Sequence, residues 1–364
     1  MPFRDLTAPE IYSIPNRVLI DVRSPSEFAE GTIPGSVNVP LFTDEERVLI
    51  GTTYKQESPA AARRLAMMTV SPKIPQLVEQ MEELMKHGEL VIFCWRGGMR
   101  SYSACTFMDL LKYPVKRLKG GYRAYRQMVL EKLALQERLD APLIVLHGLT
   151  GVGKTRILLQ LKERGHQVLD LEKLANHRGS VFGAVGLGKP SNQKSFDSGL
   201  FEALRTLDPN RAVFMEAESK RIGRSVMPDW LEEAKHAGIH VVIEASMDKR
   251  VERLIEDYLP HDNAAIHTAL EDSLQKIRKR FQPADYTALE DLFNQGDYET
   301  FTAQLLEQYY DPRYEHKLAE YEGDKQHINA DDLDEAVAQL ERLGDKLSDA
   351  PRPIVTAQEE ELLI

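Results

Sequence analysis

Val91-Ile92-Phe93-Cys94-Trp95-Arg96-Gly97-Gly98-Met99-Arg100-Ser101 is the stretch whose reading decides the fold of the N-terminal part. A short apolar run marks a buried strand. A cysteine, two glycines, an arginine and a serine follow, and a helical pattern takes over. A cysteine at the C-terminal end of a strand, before a tight loop and a helix N-terminus, lies where anions bind. Loop N–H groups and the helix dipole both favour negative charge there. They also favour thiolate, since a free thiol with a pKa of about 8.5 is mostly protonated at neutral pH and such surroundings lower that value. A buried structural cysteine is the plainer alternative. Gly97, Gly98 and Arg100 favour a nucleophilic Cys94 in an anion cradle, with Arg100 holding an oxyanion beside the sulfur.

Working outward, residues 17–23 read as a short strand ending in charge. Ser24-Pro25-Ser26-Glu27 is a helix-start signature, and Pro34-Gly35 a turn. Helical spacing over 74–85, strands over 90–93 and 115–118, and helices over 101–111 and 122–135 complete an α/β alternation. That pattern implies a parallel sheet covered by helices. Asp21-Val22-Arg23, Glu27-Phe28, Gly31-Thr32-Ile33-Pro34-Gly35-Ser36 with Asn38, and the cysteine loop together resemble a rhodanese domain. Five residues separate Cys94 from Arg100, one more than is usual in the sulfurtransferases. The longer loop resembles that of the rhodanese-fold phosphatases and suits a tetrahedral oxyanion.

After a polar linker at 136–141, Leu143-Ile144-Val145-Leu146-His147 leads into Gly148-Leu149-Thr150-Gly151-Val152-Gly153-Lys154-Thr155. This fits the Walker A pattern between a strand and a helix. Gly148, Gly151 and Gly153 let backbone N–H groups fold around phosphates. Lys154 adds a point charge, and Thr155 could hold magnesium. Residues 168–171, with Asp170, and 212–216, with Glu216, read as strands ending in acids, and Glu216 and Glu218 lie where a second phosphate-side acid would sit in a P-loop protein. His177 and Arg178 belong to a long polar loop. Simple surface charge is the plainer reading of each. From 248 onward the pattern is helical. The expected fold class is α/β: a rhodanese-like parallel-sheet domain (1–135), the linker (136–141), a P-loop NTPase-like α/β domain (142–247), a helical C-terminal region (248–347) and a tail (348–364).

Bulk properties narrow the function classes. The chain has 364 residues, an apolar fraction of 42% and a formal charge of −11. Two cysteines exclude a disulfide scaffold and fit a reducing compartment. There is no apolar signal region and no run of membrane-spanning length, so a cytoplasmic protein is expected. The acidic balance argues against non-specific nucleic-acid binding. Lys112, Lys116, Arg117, Lys119, Arg123 and Arg126 nevertheless form a local basic run. Cys105 reads as core, with a resolving thiol as the lesser alternative.

Taken in order, the cysteine loop, Gly51-Thr52-Thr53-Tyr54-Lys55-Gln56, the Walker loop, His177-Arg178-Gly179-Ser180 and Glu216-Ala217-Glu218-Ser219-Lys220-Arg221-Ile222-Gly223 resemble the bacterial tRNA 2-selenouridine synthases. The resemblance implies a tRNA partner carrying 2-thiouridine at the wobble position. It implies S-geranylation with geranyl diphosphate, then replacement of sulfur by selenium from selenophosphate. Cys94 would carry the selenium as S-selanylcysteine. Arg96, Gly97, Gly98, Arg100 and Ser101 would hold selenophosphate, and Gly148, Gly151, Gly153, Lys154 and Thr155 the diphosphate. Asp170, His177, Arg178, Glu216 and Glu218 are candidates for a second part of that site. No tightly bound cofactor, metal centre or membrane partner is expected. Arg117, Lys119, Arg123 and Arg126, with 276–280, are the expected tRNA surface; Trp95 is either a stacking partner for the base or a packed core tryptophan. The other readings are a rhodanese-fold phosphatase or sulfurtransferase fused to an ATP-binding kinase-like domain, and a non-enzymatic nucleotide-dependent RNA-binding protein.

Overall fold

The computed structural model describes residues 3–178, 180–183, 185, 187–258, 264–313, 321 and 325–348. The expected tail lies, apart from Ser348, outside the described residues. Contacts divide the chain into two compact units, 1–136 with 191–202, and 137–190 with 203–364.

In the first unit, strands β1 (Arg4–Leu6), β2 (Arg17–Asp21), β3 (Val37–Asn38), β4 (Glu89–Phe93) and β5 (Val115–Leu118) form a sheet of order β1-β5-β4-β2-β3. Every pair is parallel. Helices α1 (Pro25–Glu30), α2 (Asp44–Gln56), α3 (Pro59–Val70), α4 (Ile74–Met85), α5 (Met99–Leu110) and α6 (Gly121–Leu135) make the connections. Leu90, Val91, Ile92 and Phe93 are fully buried, as a central parallel strand requires. The chain leaves β4 toward β5 and leaves β2 toward β3, on opposite sides. The crevice between these two strand ends is the topological switch point, where ligands bind in open α/β sheets. Cys94 follows β4 there.

The second unit repeats the logic. Its elements are β6 (Leu143–His147), α7 (Lys154–Glu163), β7 (Gln167–Leu169), α8 (Leu171–Ala175), β8 (Val213–Glu216), a hairpin of β9 (Arg221–Ile222) and β10 (Ser225–Val226), α10 (Asp229–Ala237) and β11 (Ile239–Glu244). Helices α11 (Met247–Tyr258), α12 (Ala264–Ile277), α13 (Pro283–Gln295) and α14 (Tyr298–Leu305) follow, then β12 (Gln326–Asn329) and α15 (Leu333–Ser348). The parallel sheet has the order β12-β11-β6-β8-β7. Its switch point lies between β6, which runs into the glycine-rich loop, and β8, which ends in Glu216.

Two features differ from the sequence reading. The C-terminal region is not wholly helical, because Gln326–Asn329 pairs in parallel with β11 and its Ile328 enters the sheet core. Helix α9 (Gln193–Arg205) lies in sequence inside the P-loop domain, yet residues 191–202 group with the first unit. Its Asp197 pairs with Arg126, and Tyr125 donates to Glu202 at 3.1 Å.

Gly121 makes the cysteine loop possible. Its φ is +60°, and a Cβ there would stand 2.0 Å from the Cys94 carbonyl oxygen and 2.5 Å from the Gly97 nitrogen. Gly121→Ala is therefore expected to cost about 2 kcal/mol or more, read as a lower urea midpoint. An unchanged midpoint would show that the loop can move aside without loss.

Candidate functional site

The first site starts from strand pairing. Asp21 lies opposite Phe93, and Val22 donates its N–H to the Phe93 carbonyl at 3.0 Å. This brings Asp21, Arg23 and Cys94 to one end of the sheet. The Arg23 guanidinium is buried, pairs with Asp21 at 2.6 Å and lies 4.5 Å from the centre of the Tyr122 ring. The first N–H groups of α6 take up the loop carbonyls: Tyr122 donates to Cys94 and Arg123 to Trp95, each at 2.9 Å. Cys94 is buried, at 3% exposure, but its sulfur meets polar groups. Ser101 Oγ lies 3.3 Å from Sγ, and the Gly98 carbonyl 4.0 Å. Arg96 and Gly98 are exposed at the rim.

Arg100 is already engaged. Its Nη2 donates to Glu27 Oε1 at 3.1 Å, and Nη1 donates to Glu27 Oε2. Arg47 approaches the same carboxylate at 3.3 Å. Burial works to raise the Glu27 carboxyl, but the two guanidinium groups outweigh it and hold it below the usual range. An oxyanion in this loop must share Arg100 with Glu27. Cys105 is fully buried, and desolvation pushes its thiol far up, which disfavours a resolving role. Trp95 is half-buried and packs 5.7 Å from Tyr122. The expected basic surface is thinned. Arg117 donates to Asp5 at 2.8 and 2.7 Å, and Arg126 is taken by Asp197, while Lys119 and Arg123 stay exposed.

The second site is the Gly148–Thr155 turn. Gly148, Gly151 and Gly153 all have positive φ. Two arginines of α11 grip its carbonyls: Arg250 Nε donates to Thr150 and Arg253 Nη1 to Val152, both at 2.9 Å. Holding carbonyls from behind leaves loop N–H groups to face an anion. Lys154 is half-buried and donates to the Gly148 carbonyl at 2.6 Å. Desolvation lowers its pKa, against the opposing charges of Glu172, Glu218 and Glu216. Lys154, Thr155, Glu172, Arg178 and Glu218 line one cavity. His177 is half-buried and lies under Gly223, while Asp170 caps α8 by accepting from Lys173 N at 2.8 Å. Glu216 is fully buried, and its Oε2 accepts from Leu171 N at 3.3 Å. Burial, with Asp170 and Glu172 nearby, raises its carboxyl strongly. Among the described residues no group of His, Cys, Asp and Glu is arranged to hold a metal ion, and no helix is long and apolar enough to cross a membrane.

Glu172, Arg250 and Arg253 went unnoticed in the sequence. Glu172 lies two residues past the strand-end Asp170 that drew attention instead. The arginines sit at i and i+3 on an amphipathic helix, where they read as surface charge. Glu172 accepts from Thr155 Oγ1 at 3.2 Å, and burial together with Glu218 pushes its carboxyl up to about 7 from 4.5. It is thus neutral below about pH 7 and charged above. The wild type should therefore lose affinity for inorganic diphosphate, relative to Glu172→Gln, as pH rises through that value. The sign for folding is the same: between the ordinary carboxylate range and pH 7, wild-type stability falls relative to the variant. Titration calorimetry across this range checks it, and parallel profiles for the two proteins would contradict it.

The fold and its two strand-end cradles define a rhodanese-like domain joined to a P-loop α/β domain. Family models agree: residues 8–128 match the rhodanese-like domain and residues 141–344 the tRNA 2-selenouridine synthase AAA domain. A tRNA 2-selenouridine synthase of a Sulfurovum species is 31% identical over 86% of this chain and 94% of that protein. One from Shewanella oneidensis is 34% identical over 84% of this chain and 87% of its own length. The chain belongs to the tRNA 2-selenouridine synthase family.

Proposed function

We propose that this protein converts wobble 2-thiouridine of tRNA to 2-selenouridine in two steps on its two cradles. The observation that carries the reading is the presence, in one chain of this family, of a cysteine loop and a glycine-rich phosphate loop, each at the switch point of its own sheet. In the first step the thiocarbonyl sulfur attacks C1 of geranyl diphosphate. The C1–O bond breaks, diphosphate leaves with the bonding pair, and the ring gives up its N3 proton. Gly151, Gly153, Lys154 and Thr155 hold and stabilise the departing diphosphate. Alkylation turns a poor leaving group into a good one. In the second step a C2–Se bond forms, the C2–S bond breaks, and geranyl thiolate departs.

Cys94 handles the selenium, with Arg96, Arg100 and Ser101 around the selenophosphate oxygens. If its thiolate attacks selenium, S-selanylcysteine forms and phosphorus leaves with the Se–P pair, at the phosphite level. The selenium then attacks C2, and an external thiol attacks the Cys94 sulfur, breaking the S–Se bond, releasing the 2-selenouridine and leaving a mixed disulfide on Cys94. The five-residue spacing favours a second route. There the thiolate attacks phosphorus, a phosphocysteine forms, and selenide leaves; hydrolysis then gives phosphate. Phosphorus NMR of the products separates the routes. On the tRNA side, Lys119 and Arg123 are the exposed charges beside the cysteine loop, and the base must leave its stack to reach Cys94.

The first step is tested alone by incubating thiolated tRNA with the protein and geranyl diphosphate, then digesting to nucleosides. S-geranyl-2-thiouridine is expected by mass spectrometry. Its absence, with ATP bound by the loop instead, would favour the kinase-like alternative.

A further inference from the structure

A cavity of about 470 Å³ opens beside the glycine-rich loop, at the C-terminal end of the second unit's sheet. Gly148 and Lys154 form its wall on the phosphate side. Leu146, Leu149, Val152, Val242, Ile243 and Tyr321 are among its apolar lining residues. The size falls in the range of roughly 300–1,000 Å³ usual for small-molecule sites.

What sets this cavity apart is the state of its polar groups. Lys235 is buried and spends its ammonium on the Glu218 carbonyl at 2.7 Å and on both Glu232 oxygens at 2.8 Å. His147 Nε2 and His240 Nδ1 share a hydrogen bond of 2.9 Å, and burial pushes His147 down to about 3, so the ring is neutral. His327 pairs with Glu244 at 2.8 Å, and Lys220 with Asp229. These groups satisfy one another. Glu218, which also lines the cavity of Lys154 and Thr155, and Ser219 are its further polar lining. Beyond them it presents mainly hydrocarbon and aromatic faces, whereas a pocket that reads a nucleobase needs donors and acceptors aimed at the ring edge. The rings of His147, His236 and His240 stand 4.5, 4.7 and 4.9 Å from that of Tyr321. A second apolar crevice, among Phe182, Leu254, Phe293 and Phe301, has about 60 Å³ and is a seam in the helical core.

We infer that the larger cavity holds the hydrocarbon chain of a prenyl diphosphate whose head group lies in the Gly148–Thr155 loop. This rests on the reading of that loop as a diphosphate cradle, and it assigns the chain its own site. It also makes the loop selective for an apolar diphosphate over ATP, since transfer of each CH₂ into the cavity is favourable whereas an adenine edge would go unpaired.

The test is titration calorimetry with inorganic diphosphate, dimethylallyl diphosphate, geranyl diphosphate and ATP on the full chain. Wild type should bind geranyl diphosphate at least about tenfold more tightly than inorganic diphosphate. Val242→Phe, which fills the cavity, should erase that margin and leave inorganic diphosphate unchanged. Ala217→Leu at the same cavity is the second variant, and thermal unfolding verifies that each is folded. Dimethylallyl diphosphate should be the less affected of the two prenyl ligands. If both folded variants bind geranyl diphosphate as wild type does, the chain lies elsewhere and this assignment is wrong. If Lys154→Ala leaves inorganic diphosphate binding intact, the cradle reading itself falls, and the assignment with it.

Discussion

Cys94→Ala will stop formation of 2-selenouridine, by about a thousandfold or more, while S-geranylation of the same tRNA continues. The expectation follows from the separation of chemistry between the cradles. The Cys94 sulfur stands at the end of β4, within 3.3 Å of Ser101 Oγ and facing the Gly98 carbonyl. No other thiol can replace it, because Cys105 is fully buried and held protonated by desolvation. The variant should therefore accumulate S-geranyl-2-thiouridine, measured by nucleoside mass spectrometry. Loss of both products would mean that the cysteine also serves the first step. Normal yields of both would make the loop inert and revive the binding-protein alternative.

Lys154→Ala is the converse. It should reduce S-geranylation by about a hundred- to a thousandfold, the range for removing one donor to charge that develops in the transition state. The ammonium rests on the Gly148 carbonyl at 2.6 Å, with Glu172 and Glu218 opposing the desolvation that lowers its pKa. A departing diphosphate gathers negative charge where that ammonium lies. Diphosphate binding should weaken as well, but the charge that develops on departure is the larger loss, so kcat should fall more than KM rises. With S-geranylated tRNA supplied, Lys154→Ala should make 2-selenouridine at the wild-type rate. Failure there would show that the two cradles do not work independently.

Local chemistry was legible in the sequence, and long-range pairing was not. Cys94, the glycine-rich turn and the strand-end acids announce themselves because each sits in a short window whose backbone demands are fixed by neighbours. The Arg100–Glu27 pair joins residues 73 positions apart, and nothing in either window signals it. Strand β12 is four residues long, and only Ile328 is buried among Gln326, His327 and Asn329, so its period cannot be seen. Residues 191–202 group with the first unit through contacts such as Arg126 with Asp197, which look like surface charge until both partners are in place. The cavity beside Lys154 was invisible for a related reason: its walls come from three strands, two helices and the loop after β8, which meet only in the folded domain.

The most direct measurement is nucleoside analysis of tRNA carrying 2-thiouridine after incubation with the purified protein, selenophosphate and geranyl diphosphate. 2-Selenouridine should appear only when both small molecules are present, and S-geranyl-2-thiouridine should build up when selenophosphate is withheld. Selenium incorporation at an undiminished rate without geranyl diphosphate, or none with both, would contradict a two-cradle synthase.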